Sequence, residues 1–173
     1  LSFYAATKKS NEIMAHSYSN IYKLPCTAVR FFTVYGGYGR PDMALFKFTQ
    51  NILNNKPINL YNNGNHTRDF TYIEDVIDGI NLLLKNMPKN KIPFKIYNIG
   101  NGKPEKLTNY LKFIVKYLNK KAKIKKLPLQ IGDVSKTHAD INLIKKEIGY
   151  KPKTNIEVGI KKFIEWYLEY YGI

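Results

Sequence analysis

The stretch that most restricts the fold is Cys26-Thr27-Ala28-Val29-Arg30-Phe31-Phe32, taken with what flanks it. The run is too continuously apolar for a strand with one solvated face, so it predicts a buried strand. Before it, an amphipathic pattern predicts a helix from Tyr4 to about Tyr22, broken by Lys23-Leu24-Pro25. A helix followed directly by a buried strand is the arrangement of a parallel α/β sheet. After the run comes Thr33-Val34-Tyr35-Gly36-Gly37-Tyr38-Gly39-Arg40-Pro41-Asp42, three glycines and a proline around one arginine. Ligands of open α/β sheets bind at the carboxyl ends of strands, so a site is expected in this loop. A glycine-rich turn with a solvated Arg40 is the plain alternative.

The remaining segments alternate in the same way. Met43 to Asn54 predicts a helix, Ile58 to Tyr61 a short strand, Asn62-Asn63-Gly64-Asn65 a turn, and His66 to Tyr72 a second extended segment. Asp75 is placed to cap or start a helix Val76 to Lys85 that buries Val76, Ile77, Ile80, Leu83 and Leu84. Phe94 to Ile99 predicts a strand delivering Asn98 and Gly100 into a loop. Lys103-Pro104-Glu105 predicts a helix start whose stripe is Leu107, Tyr110, Leu111, Ile114, Val115 and Leu118. Ile124 to Leu127 predicts an edge strand, Gln130-Ile131-Gly132-Asp133 a loop, and Ala139 to Ile148 a helix stopped by Gly149. Thr154-Asn155-Ile156-Glu157 has capping-box form and opens a last helix with Ile156, Ile160, Phe163, Ile164 and Tyr167 inward.

Composition sets the outer limits. With 173 residues, 44% of them hydrophobic, the chain can build one globular domain with a real core but not two large ones. No apolar run approaches membrane-spanning length and no signal-like segment opens the chain, so the default expectation is a soluble cytoplasmic protein. Cys26 is the single cysteine, which excludes an internal disulfide, and His16, His66 and His138 lack metal-ligand spacing. The net charge of +15 would suit a polyanionic partner, yet the lysines are scattered. Their densest cluster, Lys120 to Lys126, suits a solvated strand edge. A basic nucleic-acid-binding module is the alternative this charge raises, and no binding signature accompanies it.

Tyr4 and Lys8 carry the first candidate chemistry. Four residues apart on a helix, they stand one above the other on a single face and can reach the same small volume. A free phenol titrates near 10, so a phenolate usable near neutrality needs a neighbouring positive charge such as an ammonium. The same spacing also arises by chance in a chain with 14 Tyr.

Five motifs in order decide between these readings: Tyr4-x-x-x-Lys8, Arg30-Phe31-Phe32-Thr33-Val34-Tyr35-Gly36, Arg68-Asp69-Phe70-Thr71-Tyr72-Ile73-x-Asp75, Tyr97-Asn98-Ile99-Gly100 and Gly132-Asp133-Val134. Together they resemble the extended short-chain dehydrogenase/reductase family, and within it the NAD-dependent UDP-glucuronate 4-epimerases. The resemblance spans essentially the whole chain. It implies an α/β fold: the C-terminal part of a Rossmann-type parallel sheet (residues 1–35), then mainly a smaller α/β nucleotide-sugar-binding region (residues 36–173) with some segments returning to the sheet.

The resemblance further implies Tyr4 as catalytic base and acid, and Lys8 as the residue that binds the nicotinamide ribose and eases ionisation of the phenol. Phe32 and Val34 would adjoin the NAD, Thr33 and Val34 the nicotinamide and sugar. Arg40 would face the sugar carboxylate, Arg68 the diphosphate, Asp133 the uridine ribose and Tyr61 the base, with Gln130 also at the substrate. Two departures stand out. The glycine-rich dinucleotide loop, the first Rossmann strands and the Ser/Thr partner of the catalytic Tyr would all precede Tyr4, and Gly36-Gly37-Tyr38 replaces a common Gly-Pro-Trp. The resemblance therefore implies the C-terminal half of a longer, homodimeric enzyme, inactive as this chain alone. A UDP-glucuronate decarboxylase or a nucleotide-sugar 4,6-dehydratase of the same family remains open at this point.

Overall fold

A computed structural model describes residues 2–130 and 132–173. The chain opens on α1 (Phe3–Tyr22), capped by the Ser2 hydroxyl, which accepts from the Ala5 amide at 3.2 Å, and ended by Lys23 in the left-handed region. β1 (Cys26–Phe31) and β2 (Thr33–Tyr35) follow, then α2 (Ala44–Leu53) and β3 (Ile58–Leu60). A tight 3-10 turn, Tyr61–Gly64, reverses the chain with Asn62 and Asn63 at positive φ, a conformation Asn tolerates better than most residues. Next come β4 (Thr67–Arg68), β5 (Phe70–Tyr72), α3 (Ile73–Lys85), β6 (Phe94–Ile99) and β7 (Glu105–Lys106). The chain closes with α4 (Leu107–Leu118), β8 (Ile124–Lys126), α5 (Asn142–Ile148) and α6 (Ile156–Tyr171).

The architecture is α/β with mostly parallel pairing. β1 lies parallel to β6 over all six residues, β2 parallel to β5, and β3 parallel to β8, while the two-residue β4 and β7 pair antiparallel. Two cores result. The larger packs α2, α4 and α6 over β2, β3 and β5, with Tyr110, Ile114, Ile160 and Phe163 fully buried. The smaller sits between α3, β6 and α5 around Ile99, Ile144 and Tyr150. Glu12 pins α1 to β1: the Arg30 fork donates to it at 2.5 and 2.7 Å. That fork, with help from Lys9, holds the Glu12 carboxyl down at about 2.

Several expectations are corrected. β1 is half-buried to exposed rather than buried, because among the described residues β6 is its one strand neighbour. α3 starts at Ile73 and its Asp75 does not cap it. The buried Asp75 carboxylate instead accepts the backbone amides of Lys153 and Thr154 at 3.0 and 2.9 Å, tying a distant loop to the helix. Ile77 and Leu84, seven residues apart and so on one helical face, point outward, because Val76 and Leu83 already fill the inward face. Glu105 belongs to β7 instead of opening a helix, since pairing with β4 satisfies its backbone. The cap of the 154–157 segment also shifts by one residue: Asn155, not Thr154, caps α6, its side chain accepting from the Val158 amide at 2.9 Å. Asn155→Ala is expected to cost about 1 kcal/mol, lowering the melting temperature by about 2–4 °C for a chain of this size; thermal unfolding followed by circular dichroism checks it.

Asp69, inside the third motif, is fully buried and holds the loops after β6 and before α5 together. Its carboxylate accepts the amides of Asn101, Gly102 and Ala139 at 2.7, 3.0 and 3.0 Å. Gly100 beside it has no room for a side chain, since a Cβ would lie 2.2 Å from that of Ala139. Part of what looked like a binding motif is therefore structural.

Candidate functional site

A cavity of about 390 Å³ opens at the start of β2 and gathers residues from far apart in the chain. Of the residues singled out in the sequence, Thr33, Tyr61, Arg68 and Asp133 line it. Thr33 is set there by β2, whose pairing with β5 is continued by the Thr33 amide donating to the Asp69 carbonyl at 3.0 Å. Tyr61 begins the tight turn after β3. Arg68 ends β4, and the segment after Asp133 is laid along that strand by Thr67 donating to Ser135 and accepting from Thr137, both at 3.0 Å. This stitching is what brings a residue 65 positions downstream to Arg68.

The polar centre of the cavity is a cluster around Asp133. One Arg68 terminal nitrogen donates to Asp133 Oδ1 at 2.9 Å, and the Val134 amide donates to the same oxygen at 2.8 Å. The buried His66 places Nε2 3.1 Å from Asp133 Oδ2, off the line a hydrogen bond requires, so that nitrogen has no hydrogen-bond partner among the described residues. Lys47 and Asn51 from α2 and Asn59 from β3 complete the polar lining, with Phe48, Phe70 and Leu107 as its apolar part. Sequence reasoning did not single out Lys47, Asn51, Asn59 or His66. For the α2 pair the available signal was their position on the helix that follows the glycine loop.

Arg40 is not in this cavity but beside it, lining a smaller cleft with Thr33, Val34 and Gly36. Its guanidinium donates to Asp42 through both Nε (3.0 Å) and a terminal nitrogen (2.5 Å), a two-pronged pair open to solvent. The Asp42 carboxylate hydrogen bond and charge raise the Arg40 pKa, with a smaller contribution from Tyr4. Tyr4 is therefore within electrostatic reach of Arg40. Asp42 itself lines the large cavity, so the Arg40 pair bridges the two. The loop is held by a tight Gly36, whose Cβ would lie 2.4 Å from Ile73, and by the Tyr38 ring packing tilted against Trp166 and edge-on against Tyr170 of α6, at centroid distances of 5.0 and 5.8 Å.

Tyr4 and Lys8 share one face of α1 as expected, with the Lys8 ammonium 5.3 Å from the Tyr4 ring centre. Tyr4 is 69% exposed and Lys8 is exposed as well, so both are reachable by a ligand. Phe32 and Val34 are half-buried at the end of β1 and in β2. Gln130 is exposed outside the cavity, its carbonyl accepting the Asp133 amide at 3.1 Å. Its neighbour Ile131 lies outside the described residues. No group of three metal-ligating side chains converges among the described residues, and no helix there is long and apolar enough to cross a membrane.

Comparison with known proteins gives one direction. The chain is 55% identical over 169 residues to an uncharacterized protein of Methanocaldococcus jannaschii, covering 98% of this chain and 51% of that one. It is 42% identical over 187 residues to a probable UDP-glucuronate 4-epimerase of Rhizobium meliloti, covering 99% and 54%. The fold matches that of a UDP-glucuronic acid 4-epimerase from Bacillus cereus, solved with UDP-glucuronic acid and NAD, at a TM-score of 0.91 and 32% identity over 99% of this chain and 54% of that one. The chain spans about half the length of the relatives it matches. Residues 1–100, more than half of the sequence, match the NAD dependent epimerase/dehydratase family, and the chain belongs to that family.

Proposed function

We propose that the protein carrying this chain is an NAD-dependent nucleotide-sugar 4-epimerase acting on UDP-glucuronate. On this reading residues 1–35 serve the dinucleotide side and residues 36–173 mainly the nucleotide sugar. The observation that carries it is the convergence of Thr33, Tyr61, Arg68 and Asp133 on one cavity beside the Arg40 loop, with Tyr4 within electrostatic reach of Arg40. The size of the cavity suits a nucleotide-scale ligand.

The residues present fit the reacting end of a nicotinamide: an exposed phenol and ammonium on one helical face, the phenol within electrostatic reach of Arg40, which lines a cleft with Thr33 and Val34. NAD, when bound, supplies a reversible hydride acceptor at the sugar C4. The chain's own residues do the rest. The Tyr4 oxygen takes the proton of the 4-hydroxyl as the C–H bond at C4 breaks, and later returns it. Lys8, on the same helical face, presents its ammonium beside the phenol and to the nicotinamide ribose. Arg68 engages the diphosphate and Asp133 the ribose, so the nucleotide stays anchored while the 4-keto sugar turns to present its other face. Arg40 holds the sugar carboxylate by a two-pronged contact of the kind it already makes with Asp42. C4 is inverted with no net redox change.

Because the residues assigned to the nucleotide, Tyr61, Arg68 and Asp133, all lie in this chain, calorimetric titration of the 173-residue protein tests the nucleotide half of the proposal. UDP is expected to bind saturably at one site and to lose about tenfold or more with Arg68→Ala, as expected when a charge-assisted contact is removed. A single-stranded oligonucleotide should bind weakly and release steeply as salt rises. Oligonucleotide binding that outlasts UDP binding at 200 mM salt would return the basic nucleic-acid module as the better reading.

A further inference from the structure

Arg40 already holds a carboxylate. Its fork grips both oxygens of Asp42, two residues away, in the planar two-bond geometry by which a guanidinium recognises any carboxylate. The pair stands in solvent, with the Arg40 side chain 76% and that of Asp42 56% exposed, so its partners exchange with little resistance. It also stands at the mouth of the site: Asp42 lines the large cavity, Arg40 the adjoining cleft, and Tyr4 and Lys47 are close enough to act electrostatically on Arg40 and Asp42 respectively. A ligand carboxylate that reaches Arg40 must therefore displace the one already there.

We infer that Asp42 is a specificity-determining residue, an internal carboxylate that occupies the Arg40 fork and is exchanged for the carboxylate of an incoming uronic acid. The inference rests on the proposed carboxylate role of Arg40. Two consequences follow from charge alone. Asp42 weakens uronate binding, because it competes for the fork. It also favours neutral sugars in relative terms, because Arg40 keeps a partner when the sugar brings none. Asp42 thus narrows the gap between a uronic acid and a hexose on the same nucleotide, a gap that Arg40 alone would make wide.

The test is a double-mutant cycle on the 173-residue chain, read as dissociation constants for UDP-glucuronate and UDP-glucose. Asp42→Asn keeps the shape and removes the charge, and is expected to tighten UDP-glucuronate roughly 2- to 5-fold, the span of an exposed pair, with no matching gain for UDP-glucose. In an Arg40→Ala background the same substitution should give no gain. A gain that persists without Arg40, or is equal for both sugars, or a loss of UDP-glucuronate binding overturns the inference. If Arg40→Ala penalises both sugars alike, the failure belongs to the carboxylate role of Arg40. If it is selective and Asp42→Asn still brings no gain, only the exchange fails. Failure of either nucleotide to bind sinks both. A carboxyl 13C titration reads the exchange directly. Arg40 holds the Asp42 carboxyl below its ordinary range, and saturating UDP-glucuronate, but not UDP, should release it upward; an Asp42 resonance unmoved by UDP-glucuronate overturns the exchange.

Discussion

Tyr4→Phe is expected to lower turnover by about 100-fold or more, the usual contribution of a positioned acid–base group, with substrate affinity nearly retained. Because the chain spans about half the length of its relatives, the measurement is made in a protein that joins this chain behind the preceding half of its Methanocaldococcus jannaschii relative. The substitution keeps the ring and removes only the oxygen that carries the proton. Since Tyr4 is 69% exposed on α1 and makes no side-chain hydrogen bond among the described residues that its loss would break, stability should hold. That separates chemistry from folding. A surface tyrosine without a role predicts no change at all, and a defect confined to KM would assign Tyr4 to binding instead. Lys8→Met should lower turnover similarly and weaken NAD as well, since it is assigned to both the phenol and the cofactor ribose.

How much of this was legible in the sequence depends on the range of the interaction. Tyr4 and Lys8 were readable because a helix fixes their relation within four residues. The stripe of α4, Tyr110, Leu111, Ile114 and Leu118, was readable for the same reason and is buried. Misreadings came where a long-range partner outcompeted the local rule. Asp75 looked like a cap but serves the amides of residues 153 and 154, and Glu105 looked like a helix start but pairs with β4. Ile77 and Leu84 show the converse, since hydrophobicity alone does not say which of two apolar faces the fold turns inward. The cavity divides along the same line. Arg68 and Asp133 were found through ordered motifs, yet their 2.9 Å pair depends on the strand pairing that lays residues 135–137 along Thr67. His66, Lys47, Asn51 and Asn59 join them only through that tertiary arrangement, and none has a spacing that announces it.

Arg40→Ala carries the second large effect, and it separates the uronic acid from the epimerase. In the reassembled enzyme the substitution removes a charge-assisted, two-pronged contact with the sugar carboxylate, so kcat/KM for UDP-glucuronate is expected to fall roughly 10- to 150-fold. UDP-glucose offers a hydroxymethyl group at that position and should lose far less. Arg68→Ala is the control. Its proposed partner, the diphosphate, is common to both substrates, and its loss also releases Asp133, so both sugars should suffer alike. Small, equal losses on Arg40→Ala would mean a solvated arginine engaged with Asp42 alone. The uronic-acid assignment would then fall, and the exchange inferred for Asp42 with it. The assignment of epimerisation to Tyr4 would stand, because it rests on a different residue, a different readout and a group that both sugars share.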